Sequence, residues 1–358
     1  MEKELIETLP FTKELKNEKW SFLYTYNLRT LRDIFVYCDR RNKIKRTDLY
    51  EDLKNNVIHP PKDRWVNWKN KNNDRLRLEY IHAAEYLGLT KREHNFILPD
   101  FSEFEEEKRS VISENENREF TAHSTIRSPP FSEKEKHALL KIILNFERAR
   151  DFLRWFMDFS EFKDIYSFDE KIFLLKAKPI LILGKIPAGK KARNILKREI
   201  DGKIWKIPVK DPYDYTRLVS FVLPSWFKDL GLIDEVIVFP EFSGDGKLWH
   251  MYYPITMGEK SFLELDLLEF VEALSNEKKG NRLWTPYLIY SIARKFSCPV
   301  NAIKAGFEKI YKQNRDYVYF ERAPAHLMKS FYMDSYIEIG GFYRSYLDIE
   351  RGSENGKE

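Results

Sequence analysis

Glutamine is all but missing from this chain, Gln313 being the one copy in 358 residues. Few amides among many charges is one mark of a thermophile, while the abundant asparagine points the other way, so the source stays open. Cysteine is nearly as scarce. Cys38 and Cys298 cannot build a disulfide framework or fill four zinc positions, and both lie in apolar helical patterns where a small buried side chain is expected. Apolar runs such as Pro179–Leu183 stop after about five residues, far short of the roughly 20 that span a bilayer, so no membrane crossing is expected. The opening MEKELIETLPF carries acids and lacks an apolar h-region, so it reads as no secretory signal and a cytoplasmic location is expected. The histidines show neither HExxH nor paired spacing and no Ser/His/Asp set stands out, so neither a metal nor a cofactor is expected.

What is present suits a folded protein. Apolar residues make up 43% and aromatics 15%, enough to bury cores in about two to four domains. The net charge of +5 hides an uneven distribution. From Arg40 to Arg92, 14 Lys/Arg stand against 7 Asp/Glu, and from Lys176 to Lys210, 11 stand against 2. Outside those windows the chain is acidic, and Asp100 to Glu119 alone holds 8 acids against 3 bases. Gathering like charges costs self-repulsion, which a polyanion shedding condensed counterions onto the basic faces would offset. The plainer alternative is solvated lysine on exposed helices.

Along the chain, LRTLRDIFVYCDRR has helical spacing at Leu28, Leu31, Ile34, Phe35 and Cys38, and TDLYEDLKNN reads as a helix capped by Thr47. A third helix carries Leu76, Tyr80, Ala83, Ala84 and Leu87 on one face and ends at Gly88, and a short strand then runs to Pro99. Residues 105–131 are polar and acidic with a proline pair, the composition of a linker. Ser132 with Glu135 forms a capping-box pattern opening a long helix. A hairpin is expected around Asp201 and Gly202, and another from EVIVFPE through the FSGDGK turn to LWHMYYPI. From Phe262 onward come an acidic helix, two further helices, the strand RDYVYFER and an aromatic-rich pair near the C-terminus. The segment Leu87-Gly88-Leu89 leading to Phe96–Phe101 matches Leu230-Gly231-Leu232 leading to Ile237–Phe242, about 143 positions on.

Short helices followed by a strand or hairpin, with a basic third helix, resemble the winged-helix variety of helix-turn-helix proteins over 28–101, 132–257 and 284–322. The resemblance implies a mainly α fold with small β-hairpins, α+β in class, arranged as tandem winged-helix-like units: 1–104, a linker at 105–131, 132–260 and 261–358. It also implies that the last helix of a unit enters the DNA major groove while the hairpin touches backbone. Carried over, Arg64, Lys69, Lys71, Arg75 and Arg77 become groove and phosphate contacts of the first unit, and Lys247 part of the wing of the second. The second unit departs from the pattern, its helix holding only Arg217 and Lys228 as cations and carrying Pro224. Trp65 and Trp68, interleaved with those cations, suit base stacking or, as more commonly found, packing beneath a loop.

Gly184–Lys191 matches GxxxxGK after an apolar run, but Lys191 replaces the hydroxyl that would hold magnesium. Phosphate-backbone contact by Lys185, Lys190, Lys191, Arg193 and Lys197, or a structural turn, is preferred to NTP hydrolysis. Asp234, Glu241, Asp245 and Lys247 have spacing suggestive of a nuclease, yet GDG is also what any tight turn needs. The reading is therefore a non-catalytic protein that binds double-stranded DNA mainly through phosphates, in transcription, replication or a defence complex. A protein-binding adaptor is the alternative, followed by a metal-dependent nuclease or degenerate P-loop NTPase. The aromatic C-terminal region offers a core, a protein-docking face or an oligomer contact.

Overall fold

A computed structural model describes residues 25, 27–58, 74–121, 128–146, 149, 153, 222–239, 241, 249–278, 282–322 and 335–349, together with the short strands at 199–200 and 203–204. These residues mix helices with small antiparallel sheets, an α+β composition. Among them no helix is long and apolar enough to cross a membrane. They divide into two compact units between Gly231 and Leu232.

The first unit begins with Leu28–Arg41 (α1), capped by Asn27, whose Oδ1 accepts from Thr30 N at 3.2 Å. The predicted stripe from Leu28 to Cys38 is buried. Then follow Ile44–Lys45 (β1), Arg46–Lys54 (α2), Asp74–Tyr86 (α3), Thr90–Glu93 (β2) and Phe96–Pro99 (β3). Their sheet has the order β1-β3-β2, with Ile44 opposite Ile97 and Ile97 opposite Arg92. Gly88, at φ +65°, turns α3 into β2, a left-handed conformation that costs a residue with a Cβ about 1–2 kcal/mol. Glu105–Ser113 (α4) packs on Glu133–Leu144 (α5), and Glu199–Ile200 (β4) pairs with Lys203–Ile204 (β5). Leu223–Asp229 (α6) buries Trp226, whose Nε1 donates to Thr25 O at 2.6 Å.

A buried polar cluster joins α1 to α5. Arg32, 0% exposed, donates from Nε to Asp33 Oδ1 at 2.9 Å, from Nη1 to Glu135 Oε1 at 3.1 Å, and from Nη2 to Ser128 Oγ at 2.7 Å and Pro129 O at 3.0 Å. Arg118 clasps the Asp33 carboxylate, and Asn115 Nδ2 donates to Glu135 Oε1 at 2.6 Å. The other Glu135 oxygen accepts from Ser132 N at 2.7 Å, completing the expected capping box. Fully partnered, such a cluster fixes the geometry of the elements it joins. It also revises the linker: α4, Asn115, Ser128 and Phe131 belong to the core of this unit, because the Ser128 hydroxyl and the carbonyls of Asn115, Glu116 and Pro129 accept from Arg32 and Arg40, far away in sequence, while Arg118 clasps Asp33.

The second unit opens with the predicted hairpin of Ile233–Val238 (β6) and Trp249–Pro254 (β7). Glu259–Leu263 (α7), Leu267–Glu277 (α8), Arg282–Trp284 (β8), Thr285–Phe296 (α9), Val300–Gln313 (α10), Val318–Arg322 (β9), Ile337–Ile339 (β10) and Phe342–Ile349 (β11) follow. The single acidic helix expected near Phe262 is two, because Asp266 accepts from Leu268 N and Glu269 N and starts a new helix. Strand β11 pairs antiparallel with β8, β9 and β10. The β6–β7 hairpin braces the α9–α10 turn: Tyr253 Oη donates to Cys298 O at 2.8 Å, and Asp234 Oδ2 accepts from Val300 N at 2.8 Å. A Cβ on Gly306 of α10 would lie 2.8 Å from Leu267 Cδ2 and 3.3 Å from Phe262 Cε1, so a larger residue there would have to displace the Leu267 side chain.

One order of elements occurs in both units. Helix, strand, helix, helix, strand and strand, with the last strand between the first and the one before it, describes α1 to β3 and again α8 to β11, the latter with β10 inserted. This is not the repeat read from sequence. Gly231, φ +77°, matches Gly88 as a helix end, but Phe96–Pro99 is the returning strand of its hairpin whereas Ile237 lies in the outgoing one.

Candidate nucleic-acid interface

Most of the cations singled out from sequence, Arg64, Lys69, Lys71, Lys185, Lys190, Lys191, Arg193, Lys197 and Lys247, lie outside the described residues, as do Trp65 and Trp68. Arg75 belongs to α3, with its side chain outside them too. Arg77 is described, and it is 2% exposed. Its Nη1 donates to Tyr50 Oη at 3.2 Å and its guanidinium lies 5.5 Å from that ring. Positions 77, 80, 81 and 84 form the buried stripe of α3, so Arg77 is a core cation and not the groove contact it was taken for. From Leu76 to Tyr86 no side chain of α3 is exposed, and Tyr86 stacks on Phe146 at 5.0 Å. Over that stretch the side chains on the outer side of α3 are half-buried.

A group of exposed cations of the first unit stands instead on or beside its sheet. Arg41, Lys43 and Lys45 alternate through the end of α1 into β1, a period of two that places the lysines together on the solvent side. Lys45 pairs in register with Phe96, and the Lys43 ammonium lies 4.2 Å above the Phe96 ring. On β2, Lys91 pairs with Glu93 at 3.2 Å, and Arg92 donates to His94 O at 3.0 Å. The alternation in RRNKIKR was the available signal for this group. Other cations of the same window serve the fold. Arg40 donates to Asn115 O and Glu116 O, Arg46 shares a hydrogen bond with His82 at 2.8 Å, and Lys54 meets Glu51 at 3.0 Å.

No protein-family model, curated protein or solved structure matches this chain. The chemistry must therefore be read from the side chains. Among the described residues no group of His, Cys, Asp and Glu could hold a metal ion. Of the suggested nuclease set, Asp234 spends its carboxylate on Glu235 N and Val300 N, and Asp245 lies outside the described residues, as does the whole GxxxxGK segment. Both cysteines are free and buried, and burial pushes each thiol up to about 12, far from a nucleophile's range.

In the second unit, α10 exposes Asn301, Glu308, Lys309, Lys312 and Gln313, but Lys312 meets Glu308 at 2.8 Å and Lys309 donates to Leu263 O at 3.0 Å. The hairpin sheet beside it is richer. Arg322 lies opposite Arg344, its guanidinium 4.1 Å above the Phe342 ring, and Arg282 is 4.3 Å above Tyr346 while paired with Glu321. Arg344 is fixed by donating to Phe320 O and Ile339 O, both at 3.2 Å.

Proposed function

We propose that this chain binds duplex DNA through two winged-helix-like folds, mainly by neutralising phosphates. The observation that carries the reading is the element order shared by α1–β3 and α8–β11, with the same strand placement in each sheet. That is the order in which winged helices present a hairpin beside a helix pair. Lys43, Lys45 and Arg92 on the first sheet, with the lysine- and arginine-rich windows around them, supply the charge that supports it. Because the outer side chains of α3 from 76 to 86 are half-buried while Lys43, Lys45 and Arg92 are exposed, the hairpin and β1 carry the contact in the first unit, which favours backbone over base readout.

The test is fluorescence anisotropy on a random 20-base-pair duplex between 50 and 200 mM salt, where log K falls with log salt by about 0.9 for each phosphate neutralised. The parent gives a clearly negative slope, and Lys43→Glu with Lys45→Glu flattens it by about two phosphates. No binding at the lowest salt, or a slope near zero, refutes the reading.

A further inference from the structure

In the second unit, the elbow between α7 and α8 and the C-terminal half of α10 line an open cleft of about 490 Å³, a size in the range of ligand sites. Its apolar lining includes buried Ile310, half-buried Leu268 and exposed Leu265. Leu265 is one of three large apolar side chains left exposed among the described residues, the others being Tyr319 and Phe342. The elbow that carries it is held at both ends: Asp266 caps α8, and Lys309 Nζ donates to Leu263 O at 3.0 Å. A cleft fixed in this way is formed before any ligand arrives, which lowers the cost of binding.

The charge around the cleft decides what it admits. From Glu259 to Glu277 six acids, all exposed, stand against one base, Lys260. Glu264 and Asp266 belong to the lining, and Glu272 stands one helical turn beyond Leu268. Asp266 and Glu269 suit the start of α8, but Glu272 in its middle and Glu277 at its end gain nothing from the helix dipole. Among the described residues none of the six makes an ion pair. The nearby cations are engaged elsewhere, Lys309 with the Leu263 carbonyl, and Lys295 and Lys278 over the Phe270 and Tyr287 rings at 4.6 and 4.8 Å. Such a face repels a polyanion and attracts a polycation. We propose that this cleft docks a basic segment of a partner protein, with apolar anchors against Leu265, Leu268 and Ile310 and with lysines or arginines beside Glu264, Glu269 and Glu272. The site is opposite in sign to the cations of the duplex reading and does not depend on it.

The experiment measures anisotropy of a labelled 15-residue peptide of lysine and leucine, its leucines spaced along one helical face, with the full-length parent, with Leu265→Ala, and with Glu264→Gln, Glu269→Gln and Glu272→Gln combined. Leu265 is exposed and glutamine matches glutamate in shape, so both variants keep the fold. Leu265→Ala weakens the peptide by about tenfold. The glutamine variant weakens it by a similar factor at 50 mM salt and removes most of the loss seen in the parent on going to 200 mM. A peptide of the same composition with its leucines scattered around the helix binds the parent about tenfold less tightly, because it cannot bring its anchors to the cleft. No binding by the parent up to about 1 mM, equal binding by parent and Leu265→Ala, or equal binding of the patterned and scattered peptides overturns the site. Equal binding of a glutamate and leucine peptide overturns the assignment to a basic partner. Sedimentation equilibrium of the parent alone adds one more outcome: a dimer that Leu265→Ala dissociates puts a second copy of the chain in the cleft and overturns the partner assignment.

Discussion

Replacing Arg32 with methionine tests how the first unit is held together. The wild-type cluster contains two cations, Arg32 and Arg118, and two anions, Asp33 and Glu135, so it is neutral as a whole. Arg32 and Asp33 have fully buried side chains, and Glu135 is 3% exposed. Methionine fills much of the same volume but leaves one buried negative charge uncompensated and strands the Ser128 hydroxyl and Pro129 carbonyl that the guanidinium had served. Removing one partner of a buried pair costs about 3–5 kcal/mol, a large share of the ~5–15 kcal/mol that a domain has in total. Glu135→Gln removes the matching anion while keeping an acceptor for Ser132 N. The double variant is neutral again, and its cost falls short of the sum of the singles by about 1–3 kcal/mol. Urea unfolding at pH 7 with a double-mutant cycle measures both quantities. Lys54→Ala, at a surface pair with Glu51, is the control and costs less than about 1 kcal/mol. A loss below about 1 kcal/mol for Arg32→Met, or strict additivity, would mean that the cluster does not act as a unit.

Two further outcomes follow from titratable groups. The Lys141 ammonium, 2.8 Å from Glu107 Oε1, holds that carboxyl below its ordinary range. A depressed carboxylate contributes stability above its unfolded value and loses it as pH falls through the folded one. Lys141→Met therefore raises the Glu107 midpoint in an NMR titration and flattens the acid limb of stability; an unmoved midpoint refutes the pairing. The thiols of Cys38 and Cys298, pushed up to about 12 by burial, stay unreactive toward a disulfide reagent at pH 8 until denaturant is added. Prompt labelling of either one in the folded protein contradicts the structure.

Local rules carried much of the fold. The stripe from Leu28 to Cys38, the capping box of Ser132 and Glu135, the turn at Gly88 and the strands ending at Pro99 and Arg322 are all set by neighbours within a few residues, and the structure has them. What composition could not reveal is pairing at a distance. Arg32 and Glu135 meet across 103 positions, and nothing near either of them announces a buried salt bridge. For the same reason a polar segment was taken for a linker, and Arg77 for a surface cation. Thr47 illustrates a smaller miss: α2 is capped at Lys45 and starts at Arg46, since β1 delivers the chain to the helix two residues early. The Lys43–Phe96 contact joins β1 to the far end of the following hairpin, so only the alternation of Arg41, Lys43 and Lys45 hinted at it.

The bracing of the α9–α10 turn by the β6–β7 hairpin has a mechanical corollary. A corner between two helices is ordinarily set by the residues that make the bend. Here the bend at Ser297–Pro299 is pinned from outside, through Asp234 on one strand and Tyr253 on the other. The hairpin works as a splint, so cutting either strap removes one of the ties that hold the corner from outside.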